Sequence, residues 1–187
     1  MNMYFCLKEI LSADPQAMAI ADFRTGEYVS CGQLLNRADE LAAEFATLLP
    51  EPKTVVALQL PNAPGVVAAV LALWKLNHAV MPLPNSMTEA ETAKILEAGP
   101  ASTLVNQQAE TGPQLRRHHR ERPAWFPSET LAFVRFTSGT TENARGVLIS
   151  HEAILRRAQS FGRALGLKKG HSVLWHLDMS YHFTTSI

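Results

Sequence analysis

Thr54-Val55-Val56-Ala57-Leu58-Gln59-Leu60, the turn Pro61-Asn62-Ala63-Pro64-Gly65, the run from Val66 to Leu76 and then Ala79-Val80-Met81-Pro82-Leu83 carry the clearest structural message in the chain. The first segment is short, rich in β-branched residues and mostly apolar on both faces, as a buried parallel strand should be. Proline and glycine turn the chain into a helix that is apolar nearly all round and so destined for burial. A second short strand follows. Strand, helix and strand of these lengths make a βαβ unit, and βαβ units make a mostly parallel sheet.

The neighbouring segments extend this pattern. Upstream, Ser30-Cys31-Gly32-Gln33 reads as a capping box, with hydroxyl and amide placed to satisfy the first free amides of a helix. Leu34, Leu35, Ala38, Leu41, Ala42, Phe45 and Leu49 then recur at helical spacing until Pro50 and Pro52 stop the run. Downstream, Thr88-Glu89-Ala90-Glu91 is a second capping box, opening a helix that ends at Gly99-Pro100. Ala101 to Val105 and Leu131 to Phe136 read as further strands, and Val173-Leu174-Trp175 as another, flanked by His171 and His176. The expected fold is α/β, a mostly parallel sheet flanked by helices. Between two of these strands, residues 106–127 are polar, bear prolines and carry Arg116-Arg117-His118-His119-Arg120, and they read as a solvated loop. The adjacent His118 and His119 lack the partner ligands a metal site needs.

Composition narrows the function. A chain of 187 residues fits one domain and can bury roughly 70% of its unfolded surface. With 47% hydrophobic and 18% charged residues it is neither disordered nor a coiled coil. Lys and Arg number 17, as do Asp and Glu, so nothing calls for nucleic acid or an anionic surface as partner. Cys6 and Cys31 are too few for a disulfide framework. The N-terminus shows no leader pattern and no run is long enough to span a membrane, so the expected location is cytoplasmic.

Chemistry concentrates after Phe136. Thr137-Ser138-Gly139-Thr140-Thr141-Glu142-Asn143-Ala144-Arg145-Gly146 places four hydroxyls around one glycine, with a guanidinium beyond. Hydroxyls, exposed amides and an arginine suit the oxygens of a nucleotide's phosphates. The position just after a strand is where open α/β sheets bind ligands. The same composition also fits a connector without a ligand. A conventional P-loop is absent, because no Gly-Lys pair follows the first glycine at the required spacing.

Phe136-Thr137-Ser138-Gly139-Thr140-Thr141 followed by Arg145-Gly146-Val147 resembles the phosphate-binding signature of the acyl-adenylate-forming superfamily, which includes acyl-CoA synthetases and peptide-synthetase adenylation domains. Tyr28-Val29-Ser30, Leu60-Pro61-Asn62, Met81-Pro82-Leu83, Ser150-His151 and Leu177 to Phe183 resemble its other segments in the same order. The resemblance implies the N-terminal portion of an ATP-dependent carboxylate-activating ligase, covering residues 1–187. Such enzymes form an acyl-adenylate and then a thioester.

By that resemblance Thr137, Ser138, Gly139, Thr140, Thr141 and Arg145 contact phosphate, and Tyr181 or His182 lines the acyl side. The implied cofactors are ATP and Mg²⁺, with CoA or carrier-protein phosphopantetheine in the complete enzyme. The implied substrate is a small carboxylic acid or amino acid. The adenine, ribose and catalytic-lysine elements of the family are expected beyond Ile187, so the catalytic residue is not assigned. The implied partners are a downstream polypeptide completing the domain and, through an exposed sheet edge, a second copy of the chain. Two departures stand out: Glu142 replaces the family's glycine, and Ala144-Arg145 its Pro-Lys. A non-catalytic module of the same fold, for nucleotide binding or protein interaction, is the alternative reading.

Overall fold

A computed structural model describes residues 1–49, 53–108, 112–117, 130–136 and 146–180. In chain order the elements are α1 (Met3–Ser12), β1 (Met18–Asp22), β2 (Glu27–Ser30), α2 (Cys31–Leu48), β3 (Val55–Gln59), α3 (Pro64–Lys75), β4 (Ala79–Pro82), α4 (Glu89–Ala98), β5 (Thr103–Gln108), β6 (Gly112–Arg117), β7 (Leu131–Phe136), β8 (Gly146–Ser150) and α5 (His151–Ala164).

Six strands form one sheet in the order β6-β5-β3-β4-β7-β8. β5, β3, β4 and β7 run parallel, with Val56 opposite Val80 and Thr103, and Val80 opposite Phe133. The two edge strands, β6 and β8, are antiparallel to their neighbours. β1 and β2 form a separate hairpin, turned by Gly26 at a φ of 75°.

Strand alternation explains why the central segments read as continuous apolar runs. Val56, Leu58, Val80, Val105 and Phe133 face α1, α2, α3 and α5. Val55, Ala57, Ala79, Met81, Leu104 and Val134 face the other way, where Leu96 of α4 packs. Both faces are buried, so both sets must be apolar.

Both capping boxes form as expected: Ser30 and Gln33 close reciprocally at the start of α2, and Thr88 and Glu91 do so at α4. α3 begins at Pro64, whose missing amide hydrogen would have been without a helical partner anyway. Its residues Ala68, Leu71, Ala72, Leu73 and Trp74 are buried.

Two expectations need correction, and two elements went unread. β5 runs on to Gln108 and β6 pairs with it, so part of the 106–127 segment is sheet and not loop. An edge strand needs only one row of backbone bonds and tolerates charge and proline, the composition that also marks loops. No strand forms at Val173–Trp175: residues 171–176 are irregular and Val173 and Leu174 are exposed. Apolar residues alone do not make a strand without a neighbour to pair with. Finally, α1 and the β1–β2 hairpin precede the first expected element. No helix among the described residues is long and apolar enough to cross a membrane.

Candidate functional site

The carboxyl ends of β3, β4 and β7 lie along one edge of the sheet. β7 ends at Phe136 and its antiparallel partner β8 starts at Gly146, and these two residues are register partners. The hydroxyl-rich segment therefore links two paired strand ends at the edge where open parallel sheets take their ligands. Thr137, Ser138, Gly139, Thr140, Thr141 and Arg145, together with Glu142, lie outside the described residues, as do Tyr181, His182, His118 and His119. What the described residues establish is the frame that holds both candidate segments.

On the α1/α3/α5 side of that edge is an apolar cavity of about 280 Å³. Leu58 and Leu60 from the end of β3, Pro82 from β4, Phe133 from β7, Trp74 from α3 and Met179 line it. Asp178 and Ser180 are polar groups at the same wall.

The 177–180 segment is fastened to the sheet edge. The Asn62 amide donates from Nδ2 to the Leu177 carbonyl at 3.0 Å, and its Oδ1 accepts from the Met179 amide at 2.7 Å. Arg135 of β7 donates from its guanidinium to the Ser180 carbonyl. Asp178 folds the segment on itself by accepting from the Ser180 amide at 2.8 Å. Arg135 is 7% exposed and lies 5.1 Å from the centre of the Phe133 ring. Burial, and then the nearby Arg157 charge, lower its pKa to about 10, so it remains a cation at neutral pH.

Behind the edge, the start of α5 is set by a packed histidine. Ser150 caps the helix, its hydroxyl accepting from the Ala153 amide at 3.1 Å. His151 is buried, accepts from the Met3 amide through Nδ1 at 3.3 Å, and meets Trp74 edge-on. This is the packing role expected of a helix-start residue. His171 and His176 are exposed. Among the described residues there is no group of three or more His, Cys, Asp or Glu that could hold a metal ion.

A family model for AMP-binding enzymes matches residues 7–124 and 106–187. The chain belongs to the AMP-binding enzyme family. The chain is 25% identical over 193 aligned positions to the nonribosomal peptide synthetase kk1B of Curvularia clavata, covering 93% of the chain and 2% of that relative. O-succinylbenzoate coenzyme A synthetase (MenE) from Bacillus subtilis, solved in complex with AMP, superposes with a TM-score of 0.78 at 19% identity, over 100% of the chain and 52% of that structure. The N-terminal subdomain of Klebsiella oxytoca NpsA, in complex with 3-hydroxybenzoyl-AMSN, gives a TM-score of 0.67 at 21% identity, over 84% and 43% respectively. The solved neighbours share the fold, and the chain spans about half of each; it spans a small fraction of the peptide synthetase.

Asn62 and Arg135 were not among the site residues expected from sequence. Asn62 sits in a proline-rich turn, where asparagine is ordinary. Arg135 did leave a signal: it is the one charged residue in the otherwise apolar Leu131–Phe136 run.

Proposed function

We propose that this chain is the N-terminal, phosphate-binding part of an ATP-dependent carboxylate-activating ligase. The observation that carries the reading is the place of the hydroxyl-rich segment, between the paired ends Phe136 and Gly146 at the carboxyl edge of the parallel strands. Thr137, Ser138, Thr140 and Thr141 offer hydroxyls, Gly139 admits backbone amides, and Arg145 adds a cation; this donor set fits the oxygens of ATP. Mg²⁺, when bound, helps neutralise the phosphates. The described residues offer no cluster to hold it, so its ligands would be the phosphates and groups outside them. Tyr181 or His182 would line the side on which a small carboxylic acid or amino acid lies. The thiol acceptor would be CoA or a carrier-protein phosphopantetheine. In such a ligase, further elements would bind adenine and ribose and supply the lysine, on the same chain or another. The exposed edge of β8 offers a second copy of the chain a place to pair.

A second reading rests on Glu142. A carboxylate where the family has glycine adds negative charge beside the phosphates and removes a residue free to adopt positive φ. It favours a non-catalytic module that kept the fold. Carboxylate-dependent ATP–pyrophosphate exchange separates the two. The ligase reading expects exchange when the chain is joined by a polypeptide carrying the later elements, and none from the chain alone. Absence of exchange in both cases, with no ATP binding by calorimetry, rules it out.

A further inference from the structure

The 177–180 segment has no regular secondary structure, yet its course is set at three points by side chains from distant elements. Asn62 grips it on both sides of Asp178, pairing with the Leu177 carbonyl and the Met179 amide as a neighbouring strand would. Asn62 is itself tied, since Arg24 of the β1–β2 hairpin donates to its carbonyl at 2.6 Å. Arg135 takes the Ser180 carbonyl from within β7. Residue 62 follows the end of β3, and Arg135 stands two residues before Thr137 on the strand that leads into the phosphate segment. One pair of side chains thus links the strand ends of the nucleotide side to the segment that runs into Tyr181 and His182.

We infer that Asn62 and Arg135 are positioning residues that fix the course of 177–180 and so set affinity for the carboxylate substrate. The inference rests on the ligase reading above for its substrate, though the clasp itself does not. Asparagine suits the role because it offers one donor and one acceptor in a plane, matching the carbonyl and the amide two residues apart. Arginine suits the second because its guanidinium stays charged when buried and can donate in several directions.

The first measurement needs no activity. Amide hydrogen exchange on the full chain should show Met179 losing protection about tenfold in Asn62→Ala. Asn62→Asp keeps the acceptor for that amide but not the donor to Leu177, and should fall between. Arg135→Met should loosen 177–180, and Arg135→Lys should restore part of the protection. The second measurement is pyrophosphate exchange with the completing polypeptide present. In Asn62→Ala the KM for carboxylate should rise about tenfold, with kcat and the KM for ATP within about twofold of the natural chain. Unchanged protection in the variants overturns the inference, as does lost protection with an unchanged carboxylate KM. If Asn62→Ala does not fold, Asn62→Asp carries both measurements. If the natural pair shows no exchange at all, the ligase reading fails and protection alone decides whether the clasp exists.

Discussion

The indole of Trp74 stands edge-on to the imidazole of His151, with ring centroids 5.1 Å apart and planes at 75°. The same indole donates from Nε1 to the Ala132 carbonyl at 3.0 Å and packs against Phe133. One side chain on α3 therefore joins the strand before the hydroxyl-rich segment to the helix after it. Trp74→Ala should lower unfolding free energy by about 3–5 kcal/mol through cavity formation and the lost bond. Trp74→Phe keeps most of the volume but leaves the Ala132 carbonyl without its donor, and should cost about 1–2 kcal/mol. Urea titration followed by circular dichroism measures both.

Acid should weaken the fold before most carboxylates titrate. Burial pushes the imidazoles of His78 and His151 down to about 4, and the positive chain terminus adds to the effect at His151. In the unfolded chain both take a proton near pH 6.5; folded, they resist until near 4. The unfolded state thus binds more protons in that window, so stability falls as pH drops from about 6.5 to 4 and levels off below. The loss is on the order of 3 kcal/mol for each histidine. Denaturation midpoints taken at pH 7, 5.5 and 4 should show this decline, and His151→Gln should roughly halve it.

Capping contributes at the helices that cover opposite faces of the sheet. Ser30→Ala and Thr88→Ala each remove a side-chain acceptor at a helix start and should each cost about 1 kcal/mol. Because the sites are on separate helices, the double variant should lose the sum. A deviation from additivity in thermal unfolding would show that α2 and α4 are coupled through the sheet.

Glu142→Gly should tighten ATP binding about threefold to tenfold by removing a negative charge near the phosphates. Arg145→Ala should weaken it by about tenfold. Calorimetric titration of both variants beside the natural chain reads the outcome. Equal or weaker binding by Glu142→Gly would mean that the carboxylate points away from the nucleotide.

Among the described residues β8 is an edge strand, with Val147 and Leu148 exposed. An unpaired edge with apolar side chains invites pairing with a second copy. The chain should therefore dimerise in solution, and Leu148→Lys should shift it to monomer; light scattering decides, and a monodisperse natural monomer refutes the prediction.

Much of the fold was legible because its signals are local. The β3–α3–β4 unit could be read from β-branched runs bounded by proline and glycine, and α2 and α4 from capping residues three positions apart. The β6 edge strand was not, since a strand that is paired on one side only does not need the apolar pattern by which strands are recognised. The β1–β2 hairpin escaped for a related reason: four of the five β1 residues are half-buried and one exposed, with no clean alternation. At the site, the hydroxyl-rich segment was legible from its composition; Arg135 left only the faint signal of one charge in an apolar strand, and Asn62 left none.

Sequence alone determined the βαβ pattern, the capped helices and a hydroxyl-rich segment following a strand, because each depends on residues close together in the chain. Only the tertiary structure decided that Phe136 and Gly146 pair at the carboxyl edge, that Trp74 bridges β7 and α5, and that Asn62 holds residues 115 and 117 positions away. An asparagine in a turn has the same local pattern whether its amide faces water or a distant backbone. Which one it meets is set by the packing of the whole sheet.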